Sequence, residues 1–226
     1  MLYHNVSEGT FISRPNRFIA EVETDEGIER CHVKNTGRCK ELLVKGADVI
    51  LTDGGNPKRK TKYDLVSVYK GNRLINMDSQ MPNKVVYESL EEILGPCDSV
   101  RPEYTVGDSR FDIYAEQGGK KILLEVKGVT LEEDGVVMFP DAPTERGLKH
   151  VTELGELASQ GYECRVMFLV QMSDVKYFTP NYAMQEEFGR ACETAASRGV
   201  HLMSRECNVT KNSVTLGKPV EIRLRG

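Results

Sequence analysis

Asp112 and Glu125 are the residues of this 226-residue chain whose types and spacing could do chemistry together. They lie in RFDIYAEQGGKKILLEVK (110–127), where Gly118-Gly119 marks a two-residue hairpin turn between alternating runs. Antiparallel pairing across such a turn keeps the sum of partner numbers constant. Asp112 therefore falls opposite Glu125, and Arg110 opposite Lys127. Facing carboxylates come within roughly 4.5–5.5 Å at Cβ and repel each other. A divalent cation between them turns that repulsion into ligation, and hard oxygen ligands suit Mg²⁺ or Mn²⁺. The alternative is an ordinary solvated face on which the acids pair with Arg110 and Lys127.

Two strands must position this pair. Side chains alternate across a strand, which puts Phe111, Ile113, Ala115, Ile122, Leu124 and Val126 on one face. Arg110, Asp112, Tyr114, Lys121, Leu123, Glu125 and Lys127 share the other. A one-residue slip would turn the apolar set outward, so the contrast pins the register. A bulge at the turn would shift it.

The chain is long enough for one large domain or two modest ones. Its apolar content of 39% and charged content of 28% are globular values. No apolar run approaches the roughly 20 residues of a membrane span. The opening MLYHNVSEGTFISRPNRF has no basic start and apolar core, so it does not read as a secretory signal. Six scattered cysteines show neither a CxxC pair nor zinc spacing, which fits reduced thiols in a cytoplasm. The net charge of −4 gives no global pull toward nucleic acid. Its distribution is uneven: residues 1–80 hold 13 Lys/Arg against 11 Asp/Glu, and residues 81–226 hold 17 against 23.

The basic front segment is strand-like. Stretches 17–22, 28–33, 47–51, 63–69 and 73–77 cluster β-formers between Gly-, Asp- and Asn-rich turns. Five short strands predict a small barrel of oligonucleotide-binding (OB) type. Its Asn35-Thr36-Gly37-Arg38 loop and the run Lys58-Arg59-Lys60-Thr61-Lys62 concentrate positive charge and would track a phosphate backbone. Solvated loop charge is the other reading. From Pro82 the pattern becomes helical, with apolar residues at 86, 90, 93 and 94 stopped by Gly95-Pro96. A boundary is expected there, giving a barrel over 1–81 and a second domain over 82–226.

In that second domain a strand over 99–106 brings Glu103 toward the hairpin, and another follows at 135–139. Thr144 is a fitting N-cap for a helix striped by Leu148, Val151, Leu154, Leu157 and Ala158, with Arg146 and His150 on another face. CRVMFLV (164–170) reads as a strand buried on both sides. A helix over 181–198, a strand over 200–204 and a closing β segment over 214–224 complete the order. The fold class is α/β: an OB-like barrel, then a central mixed sheet flanked by helices.

Helix, three strands, helix and strand, with Asp112 on the second strand and Glu125-Val126-Lys127 on the third, resembles the PD-(D/E)XK nuclease fold. More specifically, CHVKNTGRCKELL (31–43), KTKYDL (60–65), GDSRFDI (107–113), LLEVKGVTL (123–131) and FPDAPTERGLKHVTEL (139–154) resemble the sugar fermentation stimulation protein A family over nearly the whole chain. One departure is Cys39, where that family often has methionine; both are apolar. The resemblance implies a DNA-binding protein linked to sugar (maltose) utilisation and a Mg²⁺-dependent nuclease. Asp112, Glu125 and Lys127 would be catalytic, with Asp112, Glu125 and the Val126 carbonyl on the metal. Glu88 and Glu103 would be outer ligands or bases. Lys127 would orient water or steady the phosphate, and Arg110 would meet a phosphate oxygen. Arg146, Lys149 and His150 would border the cleft as nucleic-acid contacts, beside Arg38, Lys58, Arg59, Lys60 and Lys62 of the barrel. DNA is the first partner and RNA the second, with no membrane and a homodimer as a possible assembly. The competing reading is a catalytically inactive nucleic-acid-binding regulator of sugar metabolism genes. A sugar-binding enzyme is a more distant third, since the chain has no Trp.

Overall fold

The computed structural model describes residues 1–35, 37–55 and 58–225, so Thr36 of the basic loop and Asn56-Pro57 of the turn after residue 53 lie outside the described residues. Five strands close into a barrel: β1 (Val6–Asn16), β2 (Ile19–Thr24), β3 (Gly27–Val33), β4 (Asp48–Asp53) and β5 (Tyr63–Lys70). They run in the order β3-β2-β1-β4-β5, and a short parallel pairing of β3 with β5 seals the ring. Closure leaves no free edge among them.

The strand count was right and one member was not. β6 (Arg73–Asn76) is added outside the ring against β5, whereas β1 was missing from the sequence reading. The reason is legible in β1 itself. It carries Gly9 and Pro15, and only Phe11 of its eleven residues is fully buried, so it lacks alternation. It pairs with both β2 and β4, bending through register shifts between Phe11 and Asn16. Gly9 permits the crossing: a Cβ there would stand 2.6 Å from Val22 Cγ1 and 2.7 Å from the Glu23 carbonyl.

The second part opens with α1 (Met81–Glu88) and α2 (Leu90–Leu94), one expected helix broken at Ser89, whose φ and ψ of −110° and 17° leave the helical range. Then come β7 (Ser99–Val106), β8 (Ser109–Gln117), β9 (Lys120–Val129), β10 (Leu131–Glu133), β11 (Val136–Phe139) and α3 (Glu145–Ala158). β12 (Glu163–Val170), β13 (Tyr177–Pro180), α4 (Glu186–Ser197), β14 (His201–Val209) and β15 (Val214–Pro219) follow. The central sheet runs β15-β14-β12-β9-β8-β7, with β12 parallel to both β9 and β14. Strands β10, β11 and β13 form a separate small sheet, of which β11 alone was expected from the sequence.

Both faces of the central sheet are covered. Val166, Phe168 and Val170 of β12 pack with Val151 and Leu154 of α3 and Phe188 of α4, while Met167 and Leu169 face Met81, Val85 and Val86 of α1. Burying each such side chain contributes about 1.5–3 kcal/mol. Thr144 caps α3 as expected, its side chain accepting from the Gly147 amide at 3.0 Å. The barrel and sheet meet through Gln171, whose Nε2 donates to the Asn76 carbonyl at 2.9 Å while its carbonyl accepts from the Asn76 amide at 2.9 Å. All six thiols are free, and burial pushes those of Cys31, Cys39, Cys164, Cys192 and Cys207 up to about 12. Among the described residues, no helix is long and apolar enough to cross a membrane.

Gly9→Ala is expected to destabilise the chain by about 1–3 kcal/mol, because the Glu23 carbonyl cannot move aside as a side chain can. A urea midpoint equal to that of the parent protein would contradict the close β1–β2 crossing.

Candidate functional site

β8 and β9 pair in the register that their turn dictates, from Gln117 against Lys120 to Ile113 against Leu124. Gly118 and Gly119 have φ of 55° and 82°, the left-handed pair that a two-residue type I′ turn requires. Beyond Ile113 the ladder stops, so the expected pairing of Asp112 with Glu125 and of Arg110 with Lys127 does not continue it. Asp112 turns its Oδ2 onto the Val126 amide at 2.8 Å, and its Oδ1 accepts from Asn83 Nδ2 of α1 at 2.7 Å. The neighbouring strand is irregular at the same level: Pro102 pairs with Ile113 and Tyr104 with Phe111, while Glu103 between them has a φ of +53°. Alternation therefore breaks at Asp112. Phe111, expected beside Ile113, instead packs with Tyr114 and Leu123, its ring centroid 5.6 Å from that of His150.

Glu125 is 3% exposed. Its Oε1 is shared by His150 Nδ1 at 2.6 Å and by the Lys127 ammonium. Its Oε2 is buried with no hydrogen-bond partner. A buried acceptor left this way costs about 1–3 kcal/mol, and more when charged. Burial works to raise the Glu125 pKa, but the His150 hydrogen bond and the Lys127 charge outweigh it and hold the group below the usual range. Asp112 moves the other way: burial first, then the charge of Glu125, raise it despite the Val126 and Asn83 hydrogen bonds. Two neighbouring acids are thus driven apart in acidity by their surroundings.

The other expected ligands are not brought to this pair. Glu88 is half-exposed and bridges to the Met1 amino group at 2.6 Å. Glu103 is exposed and faces Arg110 at 3.6 Å. Among the described residues, no three His, Cys, Asp or Glu side chains converge on one point. His150 also differs from expectation. At 4% exposure it is largely buried, and it holds Glu125 from α3. Its spacing with Gly147, Val151 and Leu154 is itself a helical stripe, and polarity alone left it out of the expected one. Asn83 gave no signal beyond its place on the first turn of α1.

Arg110, Arg146 and Lys149 do come together, lining a groove of about 490 Å³ with Asp108, Ser109, Glu145 and His150. Lys149 also reaches Glu153 at 3.6 Å. The barrel loops are less uniform. Arg38, Lys58 and Lys60 are exposed, but Arg59 is clamped on buried Asp64 through both guanidinium nitrogens. Lys62 pairs with Glu26 at 2.8 Å, and Glu26 lines a broad concavity. That hollow of about 830 Å³ is lined by Glu8, Glu23, Asp25, Glu26 and Asp48 against one cation, Lys211, a charge balance that disfavours phosphate.

A closed five-stranded barrel followed by a mixed sheet, with Asp112 and Glu-x-Lys on adjacent strands, defines an OB barrel joined to a PD-(D/E)XK-like fold. Residues 12–77 match the model of the SfsA N-terminal OB domain, and residues 80–213 that of the sugar fermentation stimulation protein RE domain. The chain belongs to the sugar fermentation stimulation protein family. It is 53% identical over 225 residues to a homolog from Desulfitobacterium hafniense strain Y51, covering 99% of each chain. It is 50% identical over 226 residues to one from Ruminiclostridium cellulolyticum, covering 99% of this chain and 100% of that one. Among solved structures it resembles Pyrococcus furiosus SfsA in complex with Ca²⁺, with a TM-score of 0.87, 25% identity, and coverage of 99% of this chain and 98% of that one.

The Asp64 cluster carries a pH signature. Burial works to raise the Asp64 pKa, but the Arg59 hydrogen bonds and the Lys34 charge, 3.3 Å away, overcome it and lower the group. A depressed carboxylate stabilises the fold above its unfolded pKa of about 3.9 and loses that contribution as pH falls through the folded value. Asp64→Asn is expected to cost about 1–2 kcal/mol at neutral pH, since it removes the buried counter-charge of the partly exposed Arg59 and Lys34. In urea titrations the gap between parent and variant narrows as pH drops below about 4. A gap that stays constant or widens there contradicts the assignment.

Proposed function

We propose that this chain is a metal-dependent nuclease of the cytoplasm that hydrolyses phosphodiester bonds, with DNA as its first substrate and RNA as the alternative. The observation that supports it most is the partnerless Oε2 of Glu125, buried beside Asp112 and Lys127. An orphaned anionic oxygen next to a second carboxylate fits a divalent cation. Each Asp112 oxygen accepts one hydrogen bond and keeps a lone pair. Asp112 and Glu125 would hold Mg²⁺ or Mn²⁺, with the Val126 carbonyl as a further ligand; Glu88 and Glu103 are left out. Oxygen donors of this kind also suit the Ca²⁺ in the Pyrococcus furiosus relative.

When bound, such an ion supplies Lewis acidity toward a phosphoryl oxygen and acidifies bound water. The chain's own residues do the rest. His150 and Lys127 hold Glu125 ionised and fix which oxygen faces the partner. The Val126 amide and Asn83 fix the Asp112 carboxylate. Lys127, 12% exposed, presents its remaining N–H bonds to the charge that develops on phosphate. Arg110, Arg146 and Lys149 in the adjoining groove attract the neighbouring phosphates.

The second reading, an inactive nucleic-acid-binding regulator of sugar (maltose) metabolism genes, draws on the family's own name. Digestion of single- and double-stranded DNA and RNA in Mg²⁺ or Mn²⁺ separates the two. The nuclease reading expects cutting by the parent chain and none in EDTA. Lys127→Ala and Asp112→Ala each lower the rate at least about 100-fold, while binding changes only a few-fold. No cutting by any sample, with binding that weakens steeply in salt, favours the regulator.

A further inference from the structure

The barrel carries a cationic pocket that the site described above does not use. Arg14, Arg17, Arg38 and Lys40 line a hollow of about 260 Å³ with Gly37 and Leu43, and no carboxylate lines it. Arg14 builds it. Its Nη1 donates to the carbonyls of Gly37 at 3.0 Å and Arg38 at 2.8 Å. Its Nη2 donates to those of Arg17 and Asn35, each at 2.7 Å. One guanidinium thus ties the β1–β2 turn to the loop after β3 and brings Arg17 and Arg38 to a single place. All its partners are neutral carbonyls, so its charge is not cancelled.

Elsewhere in this chain of net charge −4 several cations do meet acids: Lys62 with Glu26, Arg110 with Glu103, Arg165 with Glu163, Arg205 with Glu92. Among the described residues, none of the four pocket cations has a carboxylate within ion-pair reach. Arg17, Arg38 and Lys40 are exposed. The acidic hollow near Glu26 has the opposite character, which favours the approach of an anion at this pocket over that hollow. The pocket also adjoins the path to the acid pair. A Cβ on Gly37 would lie 2.7 Å from Asp141 Oδ2, so the loop abuts the segment that leads into α3, where Arg146 and Lys149 stand.

We propose that Arg14, Arg17, Arg38 and Lys40 form a second phosphate site, which seats a backbone phosphodiester of a nucleic-acid strand running from the barrel into the groove beside Asp112 and Glu125. This rests on the nucleic-acid reading above and adds to it a demand on substrate length. A hollow of about 260 Å³ suits one phosphate with its sugar against the Leu43 side chain. A strand must span both sites to use both.

The test compares the parent chain with Arg17→Ala/Arg38→Ala/Lys40→Ala, leaving Arg14 in place because it holds the loop. Fluorescence anisotropy in EDTA reads the affinity for a DNA oligonucleotide of about 20 residues without cleavage. The triple variant is expected to bind about 10- to 100-fold more weakly, with a salt slope shallower by about 2. Hydrolysis of bis(p-nitrophenyl) phosphate in Mn²⁺, too small to span both sites, is expected to be equal in the two proteins. Unchanged oligonucleotide affinity and slope overturn the pocket, whatever the hydrolysis result. Displacement of the oligonucleotide by inorganic phosphate, but not by sulfate at equal ionic strength, overturns the phosphodiester assignment in favour of a free phosphate. If the parent hydrolyses nothing yet the variant still loses oligonucleotide affinity, the pocket stands and only the nuclease reading falls.

Discussion

Like charges in a dry place are the constraint on which this molecule depends. Glu125 is buried and Asp112 partly so, and the charge of Glu125 raises the cost of ionising Asp112. A fold could relieve this by separating them, or by surrounding both with cations. Here the relief is partial and one-sided. Glu125 receives a histidine and a lysine on one oxygen, and Asp112 receives neutral N–H donors. What remains is a negative corner with one oxygen unmet, the residue of charge that a cation would balance.

The surrounding elements make sense as the devices that keep this imbalance in place. β8 and β9 put the acids on neighbouring strands, and the loss of their ladder beyond Ile113 frees the Val126 amide for Asp112. α1 contributes Asn83 from one side of the sheet, and α3 contributes His150 from the other. Each helix is anchored by the apolar cluster beneath it, with Met81, Val85 and Val86 under α1 and Val151 and Leu154 under α3. A shift of either helix would release a hydrogen bond to one acid. Packing far from the acids is therefore coupled to their charge state.

Much of this was legible in the residues. The Gly-Gly turn and the alternation around it determined the register, because a slip would have exposed Ile113, Leu124 and Val126. The doubly buried CRVMFLV strand and the Thr144 cap were equally readable. What escaped was decided by tertiary contacts. β1 bends between two partners and shows no period of its own. Phe111 changes face because Asp112 takes a backbone donor, which alternation cannot foresee. Glu88 and Glu103 had the right type for ligation, but their directions depend on a chain terminus and on a left-handed backbone position. Polarity suggested a surface for His150, and the fold gave it a buried anion instead.

Diffraction from crystals soaked in Mn²⁺, collected at the manganese absorption edge, tests the central claim most directly. The account predicts one anomalous peak within ligand distance of Glu125 Oε2 and of an Asp112 oxygen. A protein that binds Mn²⁺ elsewhere and leaves that corner empty, or that fills it with the side chain of another residue, contradicts it.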